Sequence, residues 1–162
     1  MVDRFNESGA IVIEAIGESV IETPIAKFLQ RSHDINGNPM VVVGRLNKPY
    51  QPLIPKAIYY AKQQLGKPYN ASFKPNNDNT FYCSELIYKA FSYANNNQPI
   101  FKLNIMSFKD IKTNQTTKAW KQYFAEIKDT PPEGQIGTNP GMMSRESNIS
   151  IVYYYGKLRT HR

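Results

Sequence analysis

Cys83 is the residue of this sequence best suited to covalent chemistry, and it is the single cysteine among 162 residues. A cysteine thiolate can attack a carbonyl carbon and form an acyl-enzyme. The competing interpretation is a small buried filler of the core, which is the usual state of a lone cysteine. One cysteine excludes an internal disulfide and any zinc site built from several cysteines. The surrounding sequence has to decide between the two interpretations.

The partners that a thiol nucleophile needs are scarce in this chain. Such a nucleophile is usually activated by a histidine, which a third polar group orients. The two histidines are His33, in a polar turn with Ser32 and Asp34, and His161, the residue before the last. Histidines in surface turns and at chain ends are usually solvated. His33 is the better of these two candidates for a base.

The segment that starts at Cys83 predicts a helix to about Asn95. Its apolar stripe has helical spacing and consists of Leu86, Ile87, Ala90, Phe91 and Ala94. The first two of these share the face of Cys83, so we expect the sulfur to point inward. Unpaired N–H groups and the helix dipole at this end could bind an oxyanion. They should also bring the pKa of the thiol modestly below the roughly 8.5 of a free cysteine.

The remaining pattern mixes strands and helices within one domain. Strands are predicted at 10–15, at 40–46, within 100–111 and at 150–155. Helices are predicted from the N-cap Thr23 and Pro24 to Gln30, at 51–65, at 83–95 and at 119–127. Loops rich in Pro, Gly and Asn are predicted at 67–80 and 130–147. These elements indicate an α+β domain spanning 1–162.

The charge pattern favours a solvated basic surface. The net charge is +7, from 20 Lys and Arg against 13 Asp and Glu, and the basic residues are scattered. Scattered charge argues against a nucleic-acid partner and leaves an anionic surface open. No apolar run approaches the roughly 18 to 20 residues of a membrane span, and residues 1–9 lack a secretory signal. We therefore expect a cytoplasmic chain, or an envelope protein if the N-terminus is truncated.

The nine residues around Cys83, Phe-Tyr-Cys-Ser-Glu-Leu-Ile-Tyr-Lys, resemble the nucleophile motif of a known family. The family is that of the permuted papain-like amidases, the YiiX/YaeF-type branch of the NlpC-type cysteine hydrolases. The similarity continues in order over roughly 10–95. The matching segments are Ile13-Glu14-Ala15, Val20, Thr23-Pro24, 42–46, Leu65-Gly66-Lys67-Pro68-Tyr69 and, less securely, 137–144.

This resemblance implies a mostly antiparallel sheet packed against helices, with Cys83 as nucleophile at a helix start. It implies that Glu14 orients the base, the alternative being a strand residue that faces solvent. Tyr69, Tyr82 and Glu85 are expected at the substrate site, although the last two could equally serve packing or the helix surface. No cofactor and no metal is expected. The implied reaction is hydrolysis of an amide or ester in a small-molecule, peptide or acyl substrate, and no oligomeric state is implied.

The sequence departs from the family pattern at the base. The family histidine belongs to a His-x-Gly strand that comes just before the strand of Glu14, and residues 1–9 contain no histidine. We expect that this strand is lacking, that residues 2–6 form a hairpin turn after it, and that activity is impaired. One alternative is a catalytically inactive binding module that keeps the groove of the hydrolase. Another is a basic protein that binds nucleic acid or an anionic surface.

Overall fold

The computed structural model describes residues 1–6, 9–75 and 78–156, which alternate between strands and helices. The strands are β1 (Val2–Asn6), β2 (Gly9–Ile16), β3 (Ser19–Pro24), β4 (Val41–Leu46), β5 (Asn104–Ile105), β6 (Ile136–Gly137) and β7 (Ile149–Tyr155). The α-helices are α1 (Ile25–Arg31), α2 (Ile54–Lys62), α3 (Cys83–Ala94), α4 (Lys118–Glu126) and α5 (Pro140–Met143), with a 3-10 helix at Lys48–Leu53 before α2. Within these described ranges, no helix is long and apolar enough to cross a membrane.

An antiparallel sheet carries the chain to the start of α3. Its strands lie in the order β1-β2-β3, and two backbone segments continue it beyond β3. The Val20 N–H donates to the Lys67 carbonyl at 2.9 Å, and the Tyr69 N–H donates to the Glu18 carbonyl at 2.8 Å. Phe81 then pairs in parallel with Tyr69. The chain therefore leaves the sheet at Phe81, two residues before Cys83 begins α3.

The main core lies between this sheet, α2 and α3. From the sheet come Ile13, Ala15 and Val20, each at most 2% exposed. Ala57, Ala61 and Ala90 are fully buried where α2 meets α3. Their small side chains let the two helices approach closely, which fixes α3 against the sheet.

A second, aromatic cluster holds the loop that precedes α3. Phe73 is at its centre, with ring centroids between 5.6 and 6.4 Å from its aromatic neighbours Tyr69, Tyr82, Phe108, Trp120, Tyr123 and Phe124. The Tyr123 hydroxyl also donates to the Ala71 carbonyl at 2.9 Å. These contacts pack α4 against the loop and hold Tyr69 near the start of α3.

Most predicted elements are confirmed, including the α+β class. The predicted strands at 10–15, 40–46 and 150–155 correspond to β2, β4 and β7. The helix predicted at 83–95 is α3 almost residue for residue. The helices predicted at 51–65 and 119–127 are also present, as the 3-10 helix with α2 and as α4.

Three local predictions are wrong. Residues 2–6 form β1 and pair with β2, so they are a strand and not a hairpin turn. Thr23 is a buried member of β3, and Pro24 takes the N-cap position of α1, because the strand continues into the helix without a separate turn. The predicted loop at 130–147 also contains β6 and α5, which are too short to show a periodic pattern.

Candidate active site

Cys83 is the first residue of α3, and its side chain is exposed. The preceding residue, Tyr82, has an extended backbone at φ −90° and ψ 165°, so the helix begins at Cys83. The buried side of α3 follows every fourth residue from Leu86 to Ala94. Cys83 lies beside this row, in line with the half-buried Ile87, and Tyr69 and Glu14 lie near its protein-facing side. Exposure leaves the sulfur accessible to a substrate.

The pKa of the Cys83 thiol is raised, contrary to the predicted lowering. Desolvation is the largest cause, because the thiolate loses hydration on the side that faces the protein. Hydrogen bonds with the backbone N–H groups of Ser84 and Cys83, and with the Ser84 hydroxyl, lower the pKa. The charge of Glu14 raises it. The stabilisation that a helix start offers a thiolate is therefore present, but desolvation outweighs it.

Tyr69 places a hydroxyl beside the sulfur. Burial raises the pKa of this phenol first, followed by the proximity of Cys83, to which the phenol is also hydrogen-bonded. The ring packs edge-to-face against Phe73, with centroids 6.4 Å apart. Because the pKa is raised, Tyr69 keeps its proton at neutral pH and can donate a hydrogen bond next to Cys83.

Glu14 lies near Cys83 and is largely withdrawn from solvent. Its side chain is 11% exposed, which excludes the alternative of a residue that faces bulk water. The carboxylate forms an ion pair with Arg31 at the end of α1. Its charge is close enough to act on the pKa of Cys83. The structure therefore brings Glu14, Tyr69 and Cys83 into one region.

The pairing of β1 with β2 indicates which position lies opposite Glu14. Val2 pairs with Val12, and the Ile13 N–H donates to the Met1 carbonyl at 2.7 Å. Continued by one residue, this register would set the position before Met1 directly opposite Glu14. Directly opposed residues of an antiparallel pair have their side chains on the same face of the sheet.

The polar contacts of Tyr82 and Glu85 lie within the first turns of α3 and with Thr138. The Glu85 carboxylate accepts from the Tyr82 N–H at 3.3 Å and lies 3.2 Å from the Lys89 ammonium, so it caps α3. Both residues line a pocket of about 150 Å³ whose lining does not include Cys83. These contacts are expected if the two residues pack the site and cap α3, which is the alternative to substrate binding.

Ser84 and Thr138 join the site without having been singled out in the sequence. Thr138 Oγ1 donates to Ser84 Oγ at 2.8 Å, and the Thr138 N–H donates to Tyr82 Oη at 3.1 Å. Ser84 adjoins the cysteine in sequence, which was a usable signal. Thr138 is 54 residues away from Ser84 and follows a two-residue strand, so no local pattern points to it.

Neither histidine supplies a base in the described structure. His33 is exposed in the turn after α1, where its Nδ1 lies 3.0 Å from the Asp34 carbonyl oxygen. His161 lies outside the described residues. Over the described part of the chain, no three His, Cys, Asp or Glu side chains come together as metal ligands.

Comparisons with known proteins indicate the family and the fold of the chain. Residues 1–153 match the model of a family described as "Permuted papain-like amidase enzyme, YaeF/YiiX, C92 family". The fold is similar to the crystal structure of the metalloprotein yiiX from Escherichia coli O157:H7, with a TM-score of 0.72. That alignment has 21% sequence identity and covers 94% of this chain and 80% of the other. No protein among the curated sequences matches the chain.

Proposed function

The chain belongs to the permuted papain-like amidase family, and from this premise we propose that it hydrolyses amide or ester bonds with Cys83 as its nucleophile. The observation that carries the proposal is the position of Cys83, which is exposed at the first residue of α3. Tyr69 lies close enough for Cys83 to raise the pKa of its hydroxyl, and Glu14 lies close enough for its charge to raise the pKa of Cys83. A filler of the core would show none of these features.

The proposed reaction begins with attack of the Cys83 thiolate on the substrate carbonyl carbon. The new C–S bond pushes the carbonyl π electrons onto oxygen, and the resulting oxyanion lies near the first turn of α3. Backbone N–H groups of that turn and the Tyr69 O–H are the donors available to it. Collapse of the oxyanion expels the amine or alcohol and leaves an acyl-cysteine, which water then hydrolyses.

Glu14 is proposed to orient the base. A carboxylate fixes the tautomer of a neighbouring imidazole and stabilises its protonated form. The burial of Glu14 and its ion pair with Arg31 support this role, because they hold the carboxylate in one place. The position opposite Glu14, one residue before Met1, is where a base-bearing side chain would meet it.

The substrate proposed is a small molecule, a peptide or an acyl compound, with Tyr69 among the residues that contact it. Since the described residues bring no histidine to Cys83, proton transfer to an amine leaving group should be slow. An activated ester needs no such proton, because its leaving group departs as a stable anion. The chain should therefore react better with activated esters than with amides.

Acylation by p-nitrophenyl acetate tests this function directly. The chain has one cysteine, so an acetyl thioester found by intact-mass and peptide analysis can be assigned to Cys83 without ambiguity. We expect p-nitrophenolate release and an acetyl group on Cys83 in the wild type, and neither above background in Cys83→Ala. Equal release by wild type and Cys83→Ala would refute the proposal.

The second candidate function is a binding module that keeps the groove without catalysis. The raised pKa of Cys83 and the exposed position of His33 favour it. The experiment is a panel of acyl substrates, tested for turnover and for protection of Cys83 from alkylation. Protection without turnover, both in this chain and in one extended to supply a histidine, would support the binding module.

A further inference from the structure

Thr138 hydrogen-bonds to the residues on both sides of Cys83. Its backbone N–H donates to Tyr82 Oη at 3.1 Å, and its Oγ1 donates to Ser84 Oγ at 2.8 Å. The exposed fractions are 5% for Thr138, 6% for Tyr82 and 2% for Ser84. Buried hydrogen bonds are strong, and a buried donor or acceptor that loses its partner destabilises the fold. One residue therefore holds the chain immediately before and immediately after the nucleophile.

These two hydrogen bonds connect Thr138 to the first turn of α3. The oxygens of the Thr138 and Ser84 hydroxyls are 2.8 Å apart. Ser84 is also the residue whose backbone N–H and side chain favour the Cys83 thiolate. Thr138 thus holds in place the residue that follows the nucleophile.

The residue before Thr138 shows that this contact is tightly constrained. A Cβ atom on Gly137 would lie 2.9 Å from Tyr82 Oη and 2.5 Å from Met106 Sδ. A larger residue at position 137 would require Met106 or Tyr82 to shift. The pairing of β6 with β5 then fixes the direction in which the chain enters Thr138.

We propose that Thr138 is a positioning residue for the nucleophile, holding Tyr82 and Ser84 on either side of Cys83 so that the thiol keeps its place at the first turn of α3. This inference rests on the proposed function of Cys83. It assigns to the loop after β6 a role in preparing the thiolate, without contact between Thr138 and the substrate.

The test is the rate of iodoacetamide alkylation of Cys83 as a function of pH. The variants are Thr138→Val, which keeps the shape but removes the donor, Thr138→Ser, which keeps the donor, and Ser84→Ala. Thr117→Val is the matched control, because Thr117 caps α4 through the Trp120 N–H and its side chain does not bond to the residues beside Cys83. Thermal unfolding of each variant is recorded alongside.

Thr138→Val and Ser84→Ala should shift the midpoint of the alkylation profile to higher pH. Below the midpoint they should slow alkylation about three- to tenfold, the effect of one hydrogen bond of ordinary strength. Thr138→Ser should restore the wild-type midpoint, and Thr117→Val should leave it unchanged even though it lowers thermal stability. A merely structural role would lower the melting temperature without moving the midpoint.

Coincident midpoints for wild type, Thr138→Val and Ser84→Ala would overturn the proposal. So would an equal shift in Thr138→Ser and Thr138→Val, because the methyl group and not the hydroxyl would then matter. If Thr138→Val does not fold, Ser84→Ala against wild type decides the same question. Alkylation needs no substrate, so loss of ester acylation in the wild type would refute the hydrolase function separately.

Discussion

A histidine added directly before Met1 should convert this chain into a better amidase. The register of β1 on β2 would place that residue opposite Glu14, with Cβ atoms about 4.5 to 5.5 Å apart. At that separation the imidazole can hydrogen-bond to the carboxylate, whose charge already reaches Cys83. The extension thus supplies the base at the one position where the structure offers a partner to orient it.

Two effects set the size of the expected gain. A positioned general acid and base typically contributes about 10²- to 10⁴-fold in rate. A neighbouring imidazolium also lowers a thiol pKa by about 1 to 3 units, which opposes the desolvation that raises the pKa of Cys83. We expect at least about a 100-fold increase in the turnover of an acyl p-nitroanilide at neutral pH. The gain for an activated ester should be smaller, because its leaving group needs no proton.

Matched extensions make this experiment decisive. One places Gln where the first places His, and another moves the His one residue upstream. Strand side chains alternate between faces, so the shifted His lies on the side of the sheet away from Glu14. Turnover should rise only with the His adjacent to Met1, and should vanish when Cys83→Ala is added. Equal rates for the two His positions, or for His and Gln, would refute the assignment of Glu14 and of the base position.

Three further predictions concern single residues. Glu14→Gln should lower the pH midpoint of Cys83 alkylation by less than about one unit, because the carboxylate charge raises the pKa of the thiol and the Arg31 ion pair offsets part of that charge. An upward shift would contradict this sign. Tyr69→Phe should slow acylation by p-nitrophenyl acetate about tenfold through the lost donor, and unchanged kinetics would exclude a role for its hydroxyl. Leu86→Ala should cost about 3 kcal/mol in urea unfolding, since Leu86 is 1% exposed, and a loss below about 1 kcal/mol would show that the core relaxes around the cavity.

Local sequence patterns predicted much of the fold around the site. The apolar stripe that starts at Leu86 and the polar loop before it placed the helix start at Cys83, where α3 begins. Glu14 stood out as a charge inside an apolar strand, and its side chain is indeed largely buried. The strand β3 was harder to detect, because only the buried Val20 and Thr23 carry its inward face.

The direction of the Cys83 pKa could not be predicted in the same way. The helix start argues for a lowered pKa, and its N–H groups do act in that direction. Desolvation opposes them, and its size depends on the whole environment of the sulfur, to which segments as distant as Tyr69 and Glu14 contribute. The same limit applies to Thr138, which meets Ser84 only because β6 pairs with β5 and Gly137 has no side chain.

The sequence by itself determined the family, singled out Cys83 and located the helix that begins with it. Motif, hydrophobic period and helix start are properties of residues a few positions apart, so they can be recognised before folding. Only the tertiary structure decided that Cys83 is exposed with a raised pKa, that Glu14 pairs with Arg31, and that Thr138 bonds to both neighbours of Cys83. Hydration and long-range hydrogen bonds depend on which distant segments pack together, and that information is not contained in any local stretch of the chain.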